Sequence, residues 1–154
     1  MPDQSPLLKI SRATEMTEEL YLACLRLVPQ LTSNNPPPAR QELTLMLSTG
    51  PSTLYLARHG DYQDEIMGLA TLILYRVPTG MRAYIEDVVV DDRVRGRHIG
   101  EALIRACLDQ AEAAGASQVM LTSNPGRMAA NRLYQRMGFE LRKTNVYRYS
   151  FKRV

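Results

Sequence analysis

The chain has 154 residues, 45% hydrophobic and 23% charged, the size and balance of one globular domain rather than a disordered chain. No apolar stretch approaches the roughly 20 residues that span a bilayer, and Met1 to Ser11 lacks the charged segment and apolar run of a secretion signal. Two separated cysteines, Cys24 and Cys107, and only two histidines, His59 and His98, exclude a disulfide framework and a metal cluster, and the expected compartment is the reducing cytoplasm. The net charge of +3 is unevenly spread. One basic group runs from Arg127 to Arg153 against the single acid Glu140, and a second is Arg93, Arg95, Arg97 and His98. Such clustering suits a polyanion, either nucleic acid or a phosphate-rich cofactor. In chain order, Leu7 to Arg12 reads as a strand and Thr14 as a helix start, followed by the helical apolar spacing Leu20, Cys24, Leu27, Val28, Leu31. The segment Thr32 to Pro38, with three successive prolines, breaks that helix. A second helix is expected from Ala39 to Leu47.

Three strands follow, Ser52 to Ala57, Ile66 to Val77 and Ala83 to Val90, joined by the polar turn His59 to Asp64 and by Pro78-Thr79-Gly80. Connections this short predict an antiparallel meander. The pattern then changes to a basic loop, a helix from Ile99 to Ala114 with Gly115 as its cap, and a strand from Gln118 to Thr122, together a βαβ unit. A further helix from Met128 to Met137, stopped by Gly138, precedes an alternating strand pattern from Val146 to Phe151. With no repeat and no dividing linker, residues 1–154 read as one mixed α/β domain.

The loop Arg95-Gly96-Arg97-His98-Ile99-Gly100 lies between strand and helix. Glycines there let main-chain N–H groups turn inward, and the helix N-terminus adds partial positive charge, which together cradle an anion such as a diphosphate. No Gly-Lys-Ser/Thr follows and the spacing is not G-x-G-x-x-G, so neither a Walker loop nor a dinucleotide fingerprint is present. A plain tight turn explains two glycines about as well.

The run Ile85-Glu86-Asp87-Val88-Val89-Val90-Asp91 followed by this loop resembles the signature of the GNAT superfamily of N-acetyltransferases, whose loop reads Arg/Gln-x-x-Gly-x-Gly/Ala. Arg95 and Gly100 match its first and last positions, and His98 replaces its middle glycine. Ala130, Tyr134 and Gly138-Phe139 resemble the family's C-terminal signature, with Arg127 where an asparagine is frequent. The resemblance covers about Tyr55 to Phe151. It implies a central, mostly antiparallel sheet with a splayed parallel pair, flanking helices, and acetyl-CoA as cosubstrate without a metal. By the same resemblance, Val88, Val89 and Val90 run beside pantetheine, Arg95, Gly96, Arg97, His98, Ile99 and Gly100 hold the diphosphate, and Asn131 contacts the cofactor.

An attacking amine is mostly protonated at neutral pH and needs a base, for which Glu86 is the candidate. Strand alternation would turn Asp87 to the opposite face. A structural pairing of one acid with Arg82 stands level with the catalytic reading. The resemblance gives Tyr134 as the acid for the departing thiolate, since a tyrosine near pKa 10 keeps its proton at pH 7. The expected acceptor is a small-molecule or peptide amine, with no membrane partner and a homodimer left open. The alternative is a non-catalytic acetyl-CoA-binding regulatory domain. Nucleic-acid binding ranks last, for want of a helix-turn-helix signature or an aromatic-basic stripe.

Overall fold

The computed structural model describes residues 7–32 and 36–153. Part of the expected helix break between Thr32 and Pro38 therefore lies outside the described residues. The chain divides into two compact units, Met1–Thr122 and Ser123–Val154.

The first unit is a five-stranded sheet with three helices. Strand β1 (Leu8–Arg12) pairs antiparallel with β2 (Ser52–His59), β2 with β3 (Glu65–Val77), and β3 with β4 (Gly80–Val90), while β5 (Val119–Met120) joins β4 in parallel. The meander and the single crossover are as the sequence predicts. Helix α1 (Glu18–Leu31) starts at Thr17, whose hydroxyl accepts from the Leu20 N–H at 3.1 Å. The expected start at Thr14 lies a turn too early, because Thr17 sits three residues before Leu20, where a cap can reach its N–H. Helix α2 spans Arg40–Ser48 and α3 Ile99–Ala113.

Two layers of helix close the two faces of the sheet. Leu20, Ala23, Cys24 and Leu27 of α1 pack in one buried cluster with Leu54, Leu56, Ile66, Leu69 and Val89. Gly68, next to Leu69 and so on the opposite face, meets α3 instead: a β-carbon there would lie 3.0 Å from Leu103 and 3.2 Å from Ile99. Its missing side chain lets the first turns of α3 approach β3. Each fully buried leucine of this core contributes about 1.5–3 kcal/mol. Cys24 of α1 and Cys107 of α3 are buried free thiols, and burial pushes them up to about 11 and about 12, so they act as small apolar groups.

The second unit holds helix α4 (Met128–Arg136). Gly138 follows it at φ +95°, the Gly138 N–H donates to the Gln135 carbonyl and the Phe139 N–H to that of Tyr134. This is a Schellman cap, and the edge-on packing of Phe139 against Tyr134, with centroids 5.9 Å apart, is its hydrophobic contact. The expected strand from Val146 to Phe151 does not form: Val146, Tyr147, Tyr149 and Phe151 are exposed and unladdered. Alternation gives a segment a face, but a strand exists only when a neighbour takes its backbone hydrogen bonds.

Candidate active site

The site in the first unit begins with an irregularity of β4. Against β3, Val89 lies opposite Leu69 and Glu86 opposite Thr71, so Asp87 and Val88 together face Ala70. That is a β-bulge, and Asp87 takes the left-handed conformation it requires, at φ +52°. Aspartate tolerates this region better than most residues. The bulge shifts the two-residue period of β4 only beyond Asp87, so Glu86 shares the Thr71 face and Asp87 the Ala70 face, as alternation predicts. Glu86 and Asp87 are both exposed, and Val89 returns to the core.

Among the described residues neither acid makes an ion pair. Arg82, the structural partner considered for them, instead donates to the Thr79 hydroxyl at 2.7 Å. Partial burial, and then the neighbouring Asp87 charge, raise the Glu86 pKa above the usual carboxylate range. A carboxylate shifted in this direction is a better proton acceptor than an ordinary one.

Strand β5 pairs only with Ala83 and Tyr84, near the beginning of β4. From Glu86 to Val90 the side of β4 away from β3 therefore has no strand among the described residues. Val88 and Val90 are half-buried there, which leaves their main chain free for an extended ligand, an added strand in hydrogen-bonding terms.

This open edge leads into the basic loop. Asp91 caps a 3-10 turn, Asp92–Val94, by accepting from the Arg93 N–H at 3.0 Å. Gly96 then stands at φ +81° and His98 at φ +60°, immediately before α3. The histidine in place of the family's middle glycine thus adopts the left-handed geometry itself. No side chain caps α3, so the N–H groups of Ile99 and Gly100 point out of the helix end without an intrahelical acceptor. A β-carbon at Gly96 would meet nothing within 4 Å, so the space beside the loop is open. Free main-chain donors, a helix N-terminus and open space fit the diphosphate of coenzyme A.

The arginines are placed less simply than their sequence suggests. Arg93 donates to Asp91 at 2.8 Å and to Glu65 at 3.1 Å. Arg95 pairs with Asp92 at 2.5 Å and Arg97 with Asp61 at 2.9 Å, while His98 Nδ1 lies 3.4 Å from Glu101. Each of these four side chains lies beside an acid. The network around Asp91 was not legible in advance. Arg26 of α1 reaches it from 65 residues away, and only the unusual buried aspartate signals that such a partner must exist.

In the second unit Asn131 donates its amide to the carbonyls of Asn124 at 2.9 Å and Arg127 at 3.0 Å, which closes the turn before α4. Tyr134 is buried, and that burial raises its pKa while Arg127 opposes the shift.

The described residues contain no group of three or more metal-ligating side chains and no helix long and apolar enough to cross a membrane. With its splayed strand pair and its loop at a helix N-terminus, this is the architecture of an acetyltransferase. The chain belongs to the acetyltransferase (GNAT) family, whose model matches residues 15–139. Enzymes of this family use acetyl-CoA as cosubstrate.

Among its relatives is an L-methionine sulfoximine/L-methionine sulfone acetyltransferase of Pseudomonas aeruginosa, 32% identical over 82 residues, 53% of this chain and 48% of that protein. Another is a mycothiol acetyltransferase of Renibacterium salmoninarum, 35% identical over 81 residues, 51% of this chain and 24% of that protein. The match thus spans about half or less of the curated relatives' length. Among solved structures, an aminoglycoside acetyltransferase from an uncultured soil metagenomic sample, in complex with sisomicin, has a TM-score of 0.81 at 20% identity, covering 96% of this chain and 97% of that one. That likeness speaks for the fold.

Proposed function

We propose that this chain, acting as one acetyltransferase domain, transfers an acetyl group from acetyl-CoA to a primary amine of a small molecule by direct attack. The observation that carries this reading is the open edge of β4 from Glu86 to Val90, which runs straight into a loop with free main-chain donors. Backbone groups of Val88 and Val90 would align pantetheine, with Val89 anchoring the strand in the core. Arg95 to Gly100 would hold the diphosphate, and Asn131 Oδ1 would accept from the cofactor. Bound there, acetyl-CoA supplies the activated thioester carbonyl.

Glu86 takes a proton from the incoming ammonium, directly or through water, so that the amine nitrogen can bond to the carbonyl carbon. Tyr134 gives its hydroxyl proton to the sulfur as the carbon–sulfur bond breaks. Once bonded to carbon, the nitrogen sheds its second proton to solvent while the proton held by Glu86 passes through solvent to the tyrosinate, and the products are an amide, free coenzyme A and one proton. Holding both reactants in place supplies much of the acceleration.

Two exposed, unpaired carboxylates at the bulge favour a cationic amine over a neutral or acidic one. The relatives named for an amino-acid derivative and the structure holding an aminoglycoside support a small-molecule acceptor. The test is thiol release from acetyl-CoA across a panel of aminoglycosides, polyamines, amino-acid derivatives and peptides. Release with at least one small cationic amine is expected. Tight cofactor binding with no release from any amine would favour the regulatory-domain reading instead.

A further inference from the structure

The cations around the loop fall into two kinds. Arg93 is locked on Asp91, which is only 2% exposed. Arg95 and Arg97 are held differently. The Arg95–Asp92 pair leaves both side chains 62% exposed, and the Arg97–Asp61 pair leaves them 46% and 50% exposed. The Arg97 guanidinium also lies over the Tyr62 ring, 5.5 Å from its centroid, and the Tyr62 hydroxyl donates to the Arg93 carbonyl at 3.3 Å. The turn between β2 and β3 thereby brings Asp61 to the loop.

An exposed pair of this kind shifts an equilibrium by no more than about fivefold, so it exchanges readily. The diphosphate of coenzyme A carries two charges where each carboxylate carries one, and a phosphate takes two parallel bonds from a guanidinium. We propose that Asp61 and Asp92 are internal counter-ions that compete with the diphosphate of coenzyme A for Arg97 and Arg95, and so weaken the enzyme's hold on its product. This rests on the reading that coenzyme A binds at this loop. Two effects act in the same direction: the acids occupy the arginines, and their charge repels the incoming phosphates. Removing a contact from this site therefore tightens binding.

The test is calorimetric titration of coenzyme A into the wild type, Asp61→Asn, Asp92→Asn and the double variant, at about 50 mM and about 500 mM salt, where screening differs severalfold. Each single variant is expected to bind about two- to fivefold tighter at low salt and the double variant about tenfold, with the gain largely gone at high salt. Equal or weaker binding by the variants overturns the proposal and makes the acids orienting arms of the arginines. No heat with the wild type overturns the cofactor assignment itself, which separates the two failures. Melting temperatures within a few degrees of the wild type confirm that the variants fold.

Discussion

Arg26 of α1 and Asp91 at the end of β4 are joined by an Nε–Oδ2 hydrogen bond of 3.0 Å, although 65 residues separate them. Arg26 also pairs with Glu65 at 2.8 Å and donates to the Ile66 carbonyl, and Gln30, one turn further along α1, accepts from the Asp92 N–H at 2.9 Å. Helix α1 therefore grips the start of β3 and the two residues that follow β4 together. Charge alone would not produce this, since a buried carboxylate is costly unless every lone pair is met.

Asp91→Asn should destabilise the fold by about 3 kcal/mol, the low end for a buried pair that loses one partner, because Arg26 keeps Glu65. Arg93 first, and Arg26 after it, hold the Asp91 carboxyl far below its ordinary range. A depressed folded-state pKa gives stability that is full above the unfolded value near 4 and is lost as pH falls through the folded one. Urea denaturation should show the full gap between wild type and variant at pH 7 and a narrowing gap below about pH 4. A gap independent of pH would show that the carboxylate charge is not what matters.

Gly68→Ala places a methyl group between β3 and α3. Leu103 and Ile99 can shift, but the Val89 carbonyl, 3.2 Å from the new carbon, is main chain. A loss of about 1–3 kcal/mol is expected, as for other overpacked cores. Because α3 carries the loop at its N-terminus, weaker coenzyme A binding should accompany the lower melting temperature.

Glu86→Gln should cut turnover most above the Glu86 pKa, where the wild-type carboxylate is ionised, while leaving acetyl-CoA binding nearly intact. The raised Glu86 pKa puts the loss of the base above the usual carboxylate range, so kcat/KM should rise with pH through that region in the wild type. Asp87→Asn removes the neighbouring charge and should move the same limb to lower pH. Parallel pH profiles for wild type and Glu86→Gln would remove Glu86 from the role of base.

Tyr134→Phe keeps the edge-on packing against Phe139 and deletes one oxygen, so the fold should survive. Burial holds the phenol protonated over the working range. Turnover should fall on the order of a hundredfold, the low end for a general acid, with coenzyme A affinity little changed. Equal turnover would assign Tyr134 to packing alone.

Local chemistry made much of this protein readable from sequence. Apolar periodicity placed α1 and α3, short turns implied the meander of β2, β3 and β4, and Gly115 and Gly138 marked helix ends where a left-handed residue is needed. The loop from Arg95 to Gly100 was legible because glycines, basic residues and a helix start are neighbours in the chain. Val146 to Phe151 shows the opposite case: its alternation is local, but a strand needs a partner.

By itself, then, the sequence determined what depends on residues close together: element types, the glycine- and arginine-bearing loop before α3, and the family its motifs share. Only the tertiary structure decided that β4 bulges at Asp87, that Arg26 reaches Asp91, and that Asp61 and Asp92 pair with the loop's arginines. Register, burial and ion pairing depend on which distant segments meet, and no pattern along one stretch of chain carries that information.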